Sequence, residues 1–337
     1  MNVSTVVQQK YFNGVASEEE TQRYLKLVVD NFEEVGMVAF GQIKFIVRSK
    51  PETTVDYNWQ TIDNLVDFAT KNNLRLHYNT VINNKDSFPD WYWKLSYTDK
   101  KSFLENHVKA VVGRYKNKFY LYKLVNESVR DEEENFLGTG ENRINLIAQI
   151  FKWAKEESPN SLMMINDFGN FYKEDIRRGY IKLIKEVKKA GGPIDVVGLQ
   201  GHMWTFDLPP DDEIEKTLSQ IHEETGLPIY ITEFDLSFDN SIHSGRKIDP
   251  NEPFVTRGGT KYNNWFDYQA FAYKRFFDIC NSTDYVHGFT FWGFCDEKVA
   301  WERPGIGLFN EGFKPKPAFE VLRHVLIQED SAQKIHP

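Results

Sequence analysis

The sequence predicts an α/β fold, a single closed (β/α)8 barrel (TIM barrel), on three observations. Short β-branched, apolar or aromatic runs alternate with longer segments of helical period along the whole chain. Eight such pairs can be counted, and 337 residues suffice for one barrel of that size. The stretch Gln8–Gly14 stands where an open, doubly wound sheet would carry a glycine-rich phosphate loop. We therefore expect one barrel domain over residues 1–337.

The predicted strands are short runs rich in Val, Ile, Leu, Phe and Tyr, as buried parallel strands are. In chain order they are Val3–Val7, Met37–Ile43, Leu74–Thr80, Phe119–Val125, Leu162–Asp167, Ile194–Gln200, Pro228–Glu233 and Val286–Trp292. The predicted helices carry apolar residues at steps of three or four, as at Ile144, Ile147 and Ile150. They are Glu20–Val35, Thr61–Asn72, Asp99–Lys116, Arg143–Glu157, Lys173–Ala190, Asp212–Thr225, Asn263–Ile279 and Lys316–Ile327. Gly191–Pro193 and Gly226–Pro228 end helices immediately before strands.

Composition narrows the classes of function that this fold could serve. Charged residues make up 27% of the chain and hydrophobic ones 41%, and no apolar run approaches the roughly 20 residues of a membrane span. The net charge of −8 disfavours a nucleic-acid partner, which a basic field would attract. Cys280 and Cys295 fit neither a disulfide framework nor a zinc spacing, and we expect no cofactor and no metal at the site. A structural Ca²⁺ in the loop Ser237–Pro253 stays open. Aromatic residues reach 15%, which suggests that some line a surface groove.

The first residues, Met1–Thr5, contain no basic segment followed by an apolar stretch, so no secretory signal is visible. We expect a cytoplasmic protein if the chain is complete, and a secreted one if a signal peptide has been removed. We also expect a monomer.

Polar or aromatic residues follow directly after five of the predicted strands. They are Asn126-Glu127, Asn166-Asp167, Gln200-Gly201-His202, Glu233-Phe234-Asp235 and Trp292-Gly293. Loops begin at strand ends and are polar, so each group alone carries little weight. In a barrel, however, the carboxyl ends of all strands meet at one rim, where active sites lie. The five groups together predict one shared site.

Two carboxylic acids at that rim, Glu127 and Glu233, are what hydrolysis of a glycosidic bond requires. One carboxyl donates a proton to the leaving oxygen, and the other attacks or stabilises the anomeric carbon. A separation of about 5–5.5 Å gives retention of configuration, and a wider gap gives inversion. Asn126 could donate to the sugar 2-hydroxyl, while His202, backed by Asp235, could keep the nucleophile ionised.

These motifs resemble those of glycoside hydrolase family 10, the retaining endo-β-1,4-xylanases. The segments that carry the resemblance are Leu124–Glu127, Asn166–Phe168, Gly198–His202, Ile231–Asp235, Phe289–Gly293, Asp296, Trp301 and Lys314–Ala318. The match runs from about Val3 to the last helix. It implies a double-displacement enzyme acting on xylan or xylo-oligosaccharides, with Glu127 as acid/base and Glu233 as nucleophile.

The resemblance also implies a set of residues that hold the sugar near the cleavage point. The predicted substrate-binding residues are Gln42, Lys44, His77, Asn126, Asn166, Gln200, His202, Trp292 and Trp301. Asp235 supports His202 from behind. Trp292 and Trp301 offer flat faces for sugar rings, and Trp91 and Trp204 are further candidates.

The stretch after the second strand departs from the family pattern. The family carries Glu-Asn-Glu-Met-Lys-Trp there, and the corresponding residues are Phe40–Phe45. Gly41 and Gln42 thus replace the Asn and Glu that bind the glycone xylose, while Lys44 is kept. A lost hydrogen bond to a charged partner costs about 1.5–3 kcal/mol. We therefore expect altered glycone recognition with retained chemistry.

A second departure follows the third strand. The family's Trp-His pair falls near Val81-Ile82, so the histidine that contacts the sugar at the cleavage point is missing. His77 matches an earlier histidine with a mainly structural role, and Asn79 or Asn83 could compensate for the loss.

Two other functions stay open on the sequence. The same mechanism could serve another β-glycan or a heavily decorated xylan, which the glycone changes motivate. The chain could instead be a non-catalytic glycan-binding protein built on an inactive enzyme, although both carboxylates and most of their partners are present.

Overall fold

A computed structural model of the chain describes residues 1–48, 55–129, 136–203, 206, 208–240, 246–296 and 303–326. Two of the tryptophans predicted as sugar platforms, Trp204 and Trp301, lie outside the described residues. Within the described ranges, no helix is both long and apolar enough to cross a membrane.

Eight parallel strands of the described chain close into a barrel, which confirms the predicted fold class. They are β1 (Asn2–Val7), β2 (Glu34–Met37), β3 (Arg75–Ile82), β4 (Leu121–Asn126), β5 (Leu162–Asp167), β6 (Val196–Leu199), β7 (Ile229–Leu236) and β8 (Val286–Phe291). Each strand pairs in parallel with the next one along the chain, and β8 pairs with β1 as well as β7. This last pairing closes the ring. A two-residue strand, His202–Met203, extends the sheet beside the end of β7.

Eight helices of ten or more residues, counted over the described chain, surround the barrel. They are α1 (Glu18–Asn31), α2 (Gln60–Lys71), α3 (Tyr97–Arg114), α4 (Gly140–Glu157), α5 (Glu174–Lys189), α6 (Asp211–Thr225), α7 (Trp265–Asn281) and α8 (Pro317–Leu326). Ser17, Ser96 and Asn264 begin α1, α3 and α7, because each side chain accepts a hydrogen bond from a backbone N–H of the first turn. Single helical turns at Ile43–Ile46 and Asp90–Trp93 lie in the loops after β2 and β3.

The second strand lies elsewhere than predicted. We expected Met37–Ile43, but β2 is Glu34–Met37, and Ile43 begins a single helical turn. The sequence pattern placed Glu34 in the predicted helix Glu20–Val35. In the structure its carboxylate is buried, accepts a hydrogen bond from Arg75 Nη2 at 3.1 Å and lies 2.9 Å from His77 Nδ1. These two partners compensate the burial of a charge inside a strand.

Most of the core lies between the barrel and its helices. Phe234, for example, packs against the rings of Tyr273, Phe276 and Phe289 at centroid distances of 4.7–5.2 Å. A separate cluster of barrel side chains is formed by Leu121, Met164, Val196 and Tyr230. Gly288 makes room for it, because a Cβ at that position would stand 2.2 Å from the Tyr230 ring. This cluster therefore fills part of the barrel interior, and the polar residues predicted after the strands lie at the carboxyl-terminal end.

Candidate active site

Glu127 follows the last residue of β4 and has a left-handed backbone, with φ of 55°. Its N–H donates to the carbonyl of Asn166 at 3.1 Å, which holds the turn. Such a conformation is costly for a residue with a Cβ and is found at functional sites. The side chain accepts hydrogen bonds on both oxygens, from Gln200 Nε2 at 2.8 Å and from Asn84 Nδ2 at 2.7 Å.

Glu233 lies within β7 and is almost fully buried, with 5% of its surface exposed. Its Oε1 accepts hydrogen bonds from Lys123 Nζ at 2.5 Å and from Asn166 Nδ2 at 3.1 Å. Its Oε2 lies 3.2 Å from His202 Nε2. Each carboxylate oxygen thus has a defined partner, and the orientation of the group is set from two sides.

A chain of charges stands behind His202. His202 Nδ1 lies 2.8 Å from Asp235 Oδ2, and Arg303 Nη2 donates to Asp235 Oδ1 at 2.6 Å. Burial alone would lower the pKa of His202, but Asp235 and Glu233 outweigh it and raise the pKa to about 9. The imidazole is therefore protonated at neutral pH, and both of its N–H groups donate to carboxylates.

The buried carboxylates respond to these cations in the opposite direction. Burial alone would raise the pKa of Glu233, but the Lys123 ammonium and His202 outweigh it and lower the pKa to about 2. For Asp235, burial is outweighed in the same way by Arg303 and His202, and the pKa is held below its ordinary value. Glu233 is consequently ionised across the whole physiological range, as a nucleophile must be.

A network of amides connects the two glutamates. Asn166 Nδ2 donates to Asn126 Oδ1 at 2.6 Å, and Asn126 Nδ2 donates to Asn83 Oδ1 at 2.6 Å. Thr232 Oγ1 donates to Asn166 Oδ1 at 2.8 Å, which fixes which end of that amide faces Glu233. A network in which each member is satisfied is rigid, so these residues hold the carboxylates in position.

The structure therefore brings seven of the predicted residues together. They are Asn126, Glu127, Asn166, Gln200, His202, Glu233 and Asp235. Trp292 also reaches the site, because its ring stands edge to face with the His202 ring at 5.7 Å. It is 4% exposed and packs against Val6, Val38 and Ile306, so most of its surface belongs to the core.

Gln42 and Lys44 lie on the side of the site that β2 supplies. Gln42 is buried and accepts a hydrogen bond from Ser87 Oγ at 2.9 Å, and the same hydroxyl lies 3.4 Å from Asn84 Oδ1. Gln42 thus stands behind Asn84, the residue that contacts Glu127. Lys44 is exposed and donates to the Asp86 carbonyl at 3.0 Å.

The structure does not bring His77 to this site. His77 pairs with Leu121, the first residue of β4, whereas Glu127 follows the last. Its ring is bonded to Glu34 at the amino-terminal end of the barrel, as described above. His77 therefore lies on a strand that reaches the site, but at the opposite end of that strand. It is not one of the proposed substrate-binding residues.

Sequence reasoning missed three residues of the site, Lys123, Asn84 and Arg303. Lys123 could have been recognised as unusual, because it is the one charged residue in the apolar strand Leu121–Val125. Asn84 lies in a polar stretch that resembles any loop. Arg303 acts on Asp235 across 68 positions of sequence, and nothing local indicates that pairing.

The raised pKa of His202 predicts a loss of stability at alkaline pH that replacement by Gln removes. Protonated His202 stabilises the folded state fully below its ordinary pKa of 6.5, and this contribution disappears as the pH rises through about 9. Between these values the wild type should lose up to about 3 kcal/mol relative to His202→Gln. Urea unfolding of both proteins at pH 6, 7.5 and 9 measures the difference, and stability curves that stay parallel would contradict it.

A (β/α)8 barrel whose carboxyl-terminal rim holds one cation-bound, ionised glutamate and a second glutamate among amides defines a glycoside hydrolase. The chain belongs to glycosyl hydrolase family 10, whose family model matches residues 2–325. This match confirms the resemblance seen in the sequence. Glycosyl hydrolase family 10 is a retaining family.

Individual relatives agree with the family assignment. The chain is 30% identical over 297 residues to a beta-1,4-xylanase from Dictyoglomus thermophilum, with 83% of this chain and 78% of that protein covered. It is 28% identical over 286 residues to endo-1,4-beta-xylanase B from Thermotoga neapolitana, with 80% and 75% covered. Its fold is similar to that of xylanase 10B from Thermotoga petrophila RKU-1, solved in complex with xylobiose, at a TM-score of 0.79 and 23% identity over 96% of this chain and 93% of that one.

Proposed function

We propose that the protein is an endo-1,4-β-xylanase in which Glu127 is the acid/base and Glu233 the nucleophile. The observation that carries the assignment is the difference between the surroundings of the two carboxyls. Glu233 receives an ammonium and a protonated imidazole, whereas the donors to Glu127 are the neutral amides of Asn84, Asn126 and Gln200. A permanently ionised carboxylate suits attack, and a carboxyl among neutral groups suits proton exchange.

The reaction then proceeds in two steps. In the first, a Glu233 oxygen bonds to the anomeric carbon while the bond from that carbon to the glycosidic oxygen breaks, and Glu127 gives its proton to the departing oxygen. In the second, water attacks the same carbon, Glu127 takes a proton from the water, and the electron pair of the broken ester bond returns to Glu233. Two inversions at one carbon retain its configuration.

Xylan as substrate is supported by the activities named for the relatives, but the glycone side favours a second candidate. The resemblance places an Asn of the family at Gly41. A Cβ there would stand 2.6 Å from Met37 Sδ and 2.8 Å from Tyr78 Cζ, and the Tyr78 hydroxyl donates to the Gly41 carbonyl at 2.8 Å. Tyr78 thus occupies the space that the Cβ of an Asn at position 41 would need. Another β-1,4-glycan or a decorated xylan is therefore the alternative substrate.

A product profile separates these candidates. The enzyme is incubated with linear xylan, glucuronoxylan, arabinoxylan and a soluble β-1,4-glucan, and the oligosaccharides are separated by chromatography. We expect xylo-oligosaccharides, with the β anomer appearing first in proton NMR spectra. Glu233→Gln, prepared identically, controls for contaminating activity. Faster release from glucan than from every xylan would favour the alternative substrate, and retention on immobilised glycan without any product would favour a binding protein.

A further inference from the structure

Lys123 is a buried cation that the two-step mechanism does not use. It lies in the middle of β4, with 2% of its surface exposed, and its Nζ stands 2.5 Å from Glu233 Oε1. On its other side Nζ lies 6.0 Å from the centre of the Trp292 ring. Taking an ammonium out of water is unfavourable unless an anion faces it. The nucleophile is that anion.

The other two cations near Glu233 share a second carboxylate, Asp235. Within the described ranges, the charged groups near it come from β4 and the residue after it, the segment after β6, β7 and the segment before α8, and they are Lys123, Glu127, His202, Asp235 and Arg303. Asp235 lies between His202 and Arg303. Among the described residues, the hydrogen-bond partner of Lys123 Nζ is Glu233. Lys123 therefore depends on the charge of the nucleophile more than the other cations do.

We propose that Lys123 is a positioning residue that orients Glu233, slows formation of the glycosyl-enzyme and speeds its breakdown. The inference rests on the proposed function, since it assigns Glu233 as the nucleophile. When Glu233 becomes an ester, its negative charge is consumed, and Glu127 becomes ionised after protonating the leaving oxygen. Lys123 then remains buried beside a neutral ester. When the ester breaks, the electron pair returns to the carboxylate and the ion pair forms again.

The direction of the effect follows from how much carboxylate charge each state carries. The attraction to Lys123 is full in the resting enzyme, partial in the two transition states and absent in the ester. Only differences between a ground state and its transition state change a rate. Lys123 therefore raises the barrier to formation of the glycosyl-enzyme and lowers the barrier to its breakdown. The intermediate should therefore accumulate less in the wild type than in a variant without the Lys123 charge.

Stopped-flow kinetics with 2,4-dinitrophenyl β-xylobioside tests this assignment. Lys123→Met removes the charge and keeps an unbranched chain, and Lys123→Arg keeps the charge. We expect a smaller burst of dinitrophenolate from the wild type and Lys123→Arg than from Lys123→Met. Lys123→Met should give a burst approaching one equivalent per enzyme, followed by steady turnover at least tenfold slower. A folded Lys123→Met variant whose burst is no larger than that of the wild type would overturn the inference.

A second measurement needs neither turnover nor a stable Lys123 variant. Glu233→Gln makes the nucleophile neutral, as the ester does, and ¹⁵N NMR follows the protonation of the Lys123 ammonium in this variant and in the wild type. We expect Lys123 to lose its proton at least one pH unit lower in Glu233→Gln. If Lys123 loses its proton at the same pH in both proteins, the inferred ion pair of Lys123 with Glu233 is overturned. If the wild type releases no dinitrophenolate, the proposed function is overturned instead. The NMR titration of Lys123 then decides by itself whether Lys123 and Glu233 form an ion pair.

Discussion

Glu233→Gln is expected to reduce kcat on an aryl β-xylobioside by about 10⁴-fold or more, the scale on which enzymes lose activity with their nucleophile. The amide cannot attack the anomeric carbon, while its size and its hydrogen-bonding positions toward Asn166 stay similar. Because the proposed substrate-binding residues are the neighbouring amides, KM should change far less than kcat. Steady-state release of the aryl group measures both constants.

The matched control for this substitution is Glu223→Gln, which makes the same chemical change on the exposed surface of α6. It should retain wild-type kcat. Glu233→Ala with added azide provides a further check, because azide can attack from the vacated side and yield the α-glycosyl azide. Turnover by Glu233→Gln above a few per cent of wild type would mean that another group is the nucleophile.

Glu127→Ala should separate substrates by their leaving groups. Xylo-oligosaccharides leave as poor, strongly basic alkoxides, so loss of the general acid should slow their cleavage by about 10²- to 10⁴-fold. A dinitrophenyl group needs no proton, so its first step should be nearly unchanged. The second step also loses its general base, and a burst of dinitrophenolate should therefore precede slow turnover. Parallel rate measurements on xylotetraose and the aryl xylobioside give the ratio of the two rate losses caused by Glu127→Ala.

Azide distinguishes the acid/base role of Glu127 from a merely structural one. It needs no base, so it should accelerate the slow second step of Glu127→Ala and form the β-glycosyl azide. Wild-type turnover should not respond to azide in this way. An equal fall on both substrates, without azide rescue, would show that Glu127 positions the substrate and does not transfer the proton.

The sequence was sufficient to predict the barrel and to predict that both glutamates and most of their amide partners meet at one rim. Helical periodicity is local, and strand-forming runs are short and bounded by loops, so seven of the eight strands lie close to their predicted positions. The eighth, β2, was misplaced because Glu34 is stabilised by His77 and Arg75, which lie on another strand. The rule that strand ends share one rim then located Glu127 and Glu233 without any distance information.

Only the tertiary structure decided which charges meet. Lys123 and Glu233 are 110 positions apart, and closure of the ring brings them into contact. His77 lies near the start of β3, where it contacts Glu34 of β2, and the sequence pattern does not state the register between these two strands. Local pattern thus determines elements and their polar ends. Pairing of buried charges depends on low-dielectric contacts between distant segments, which no local pattern encodes.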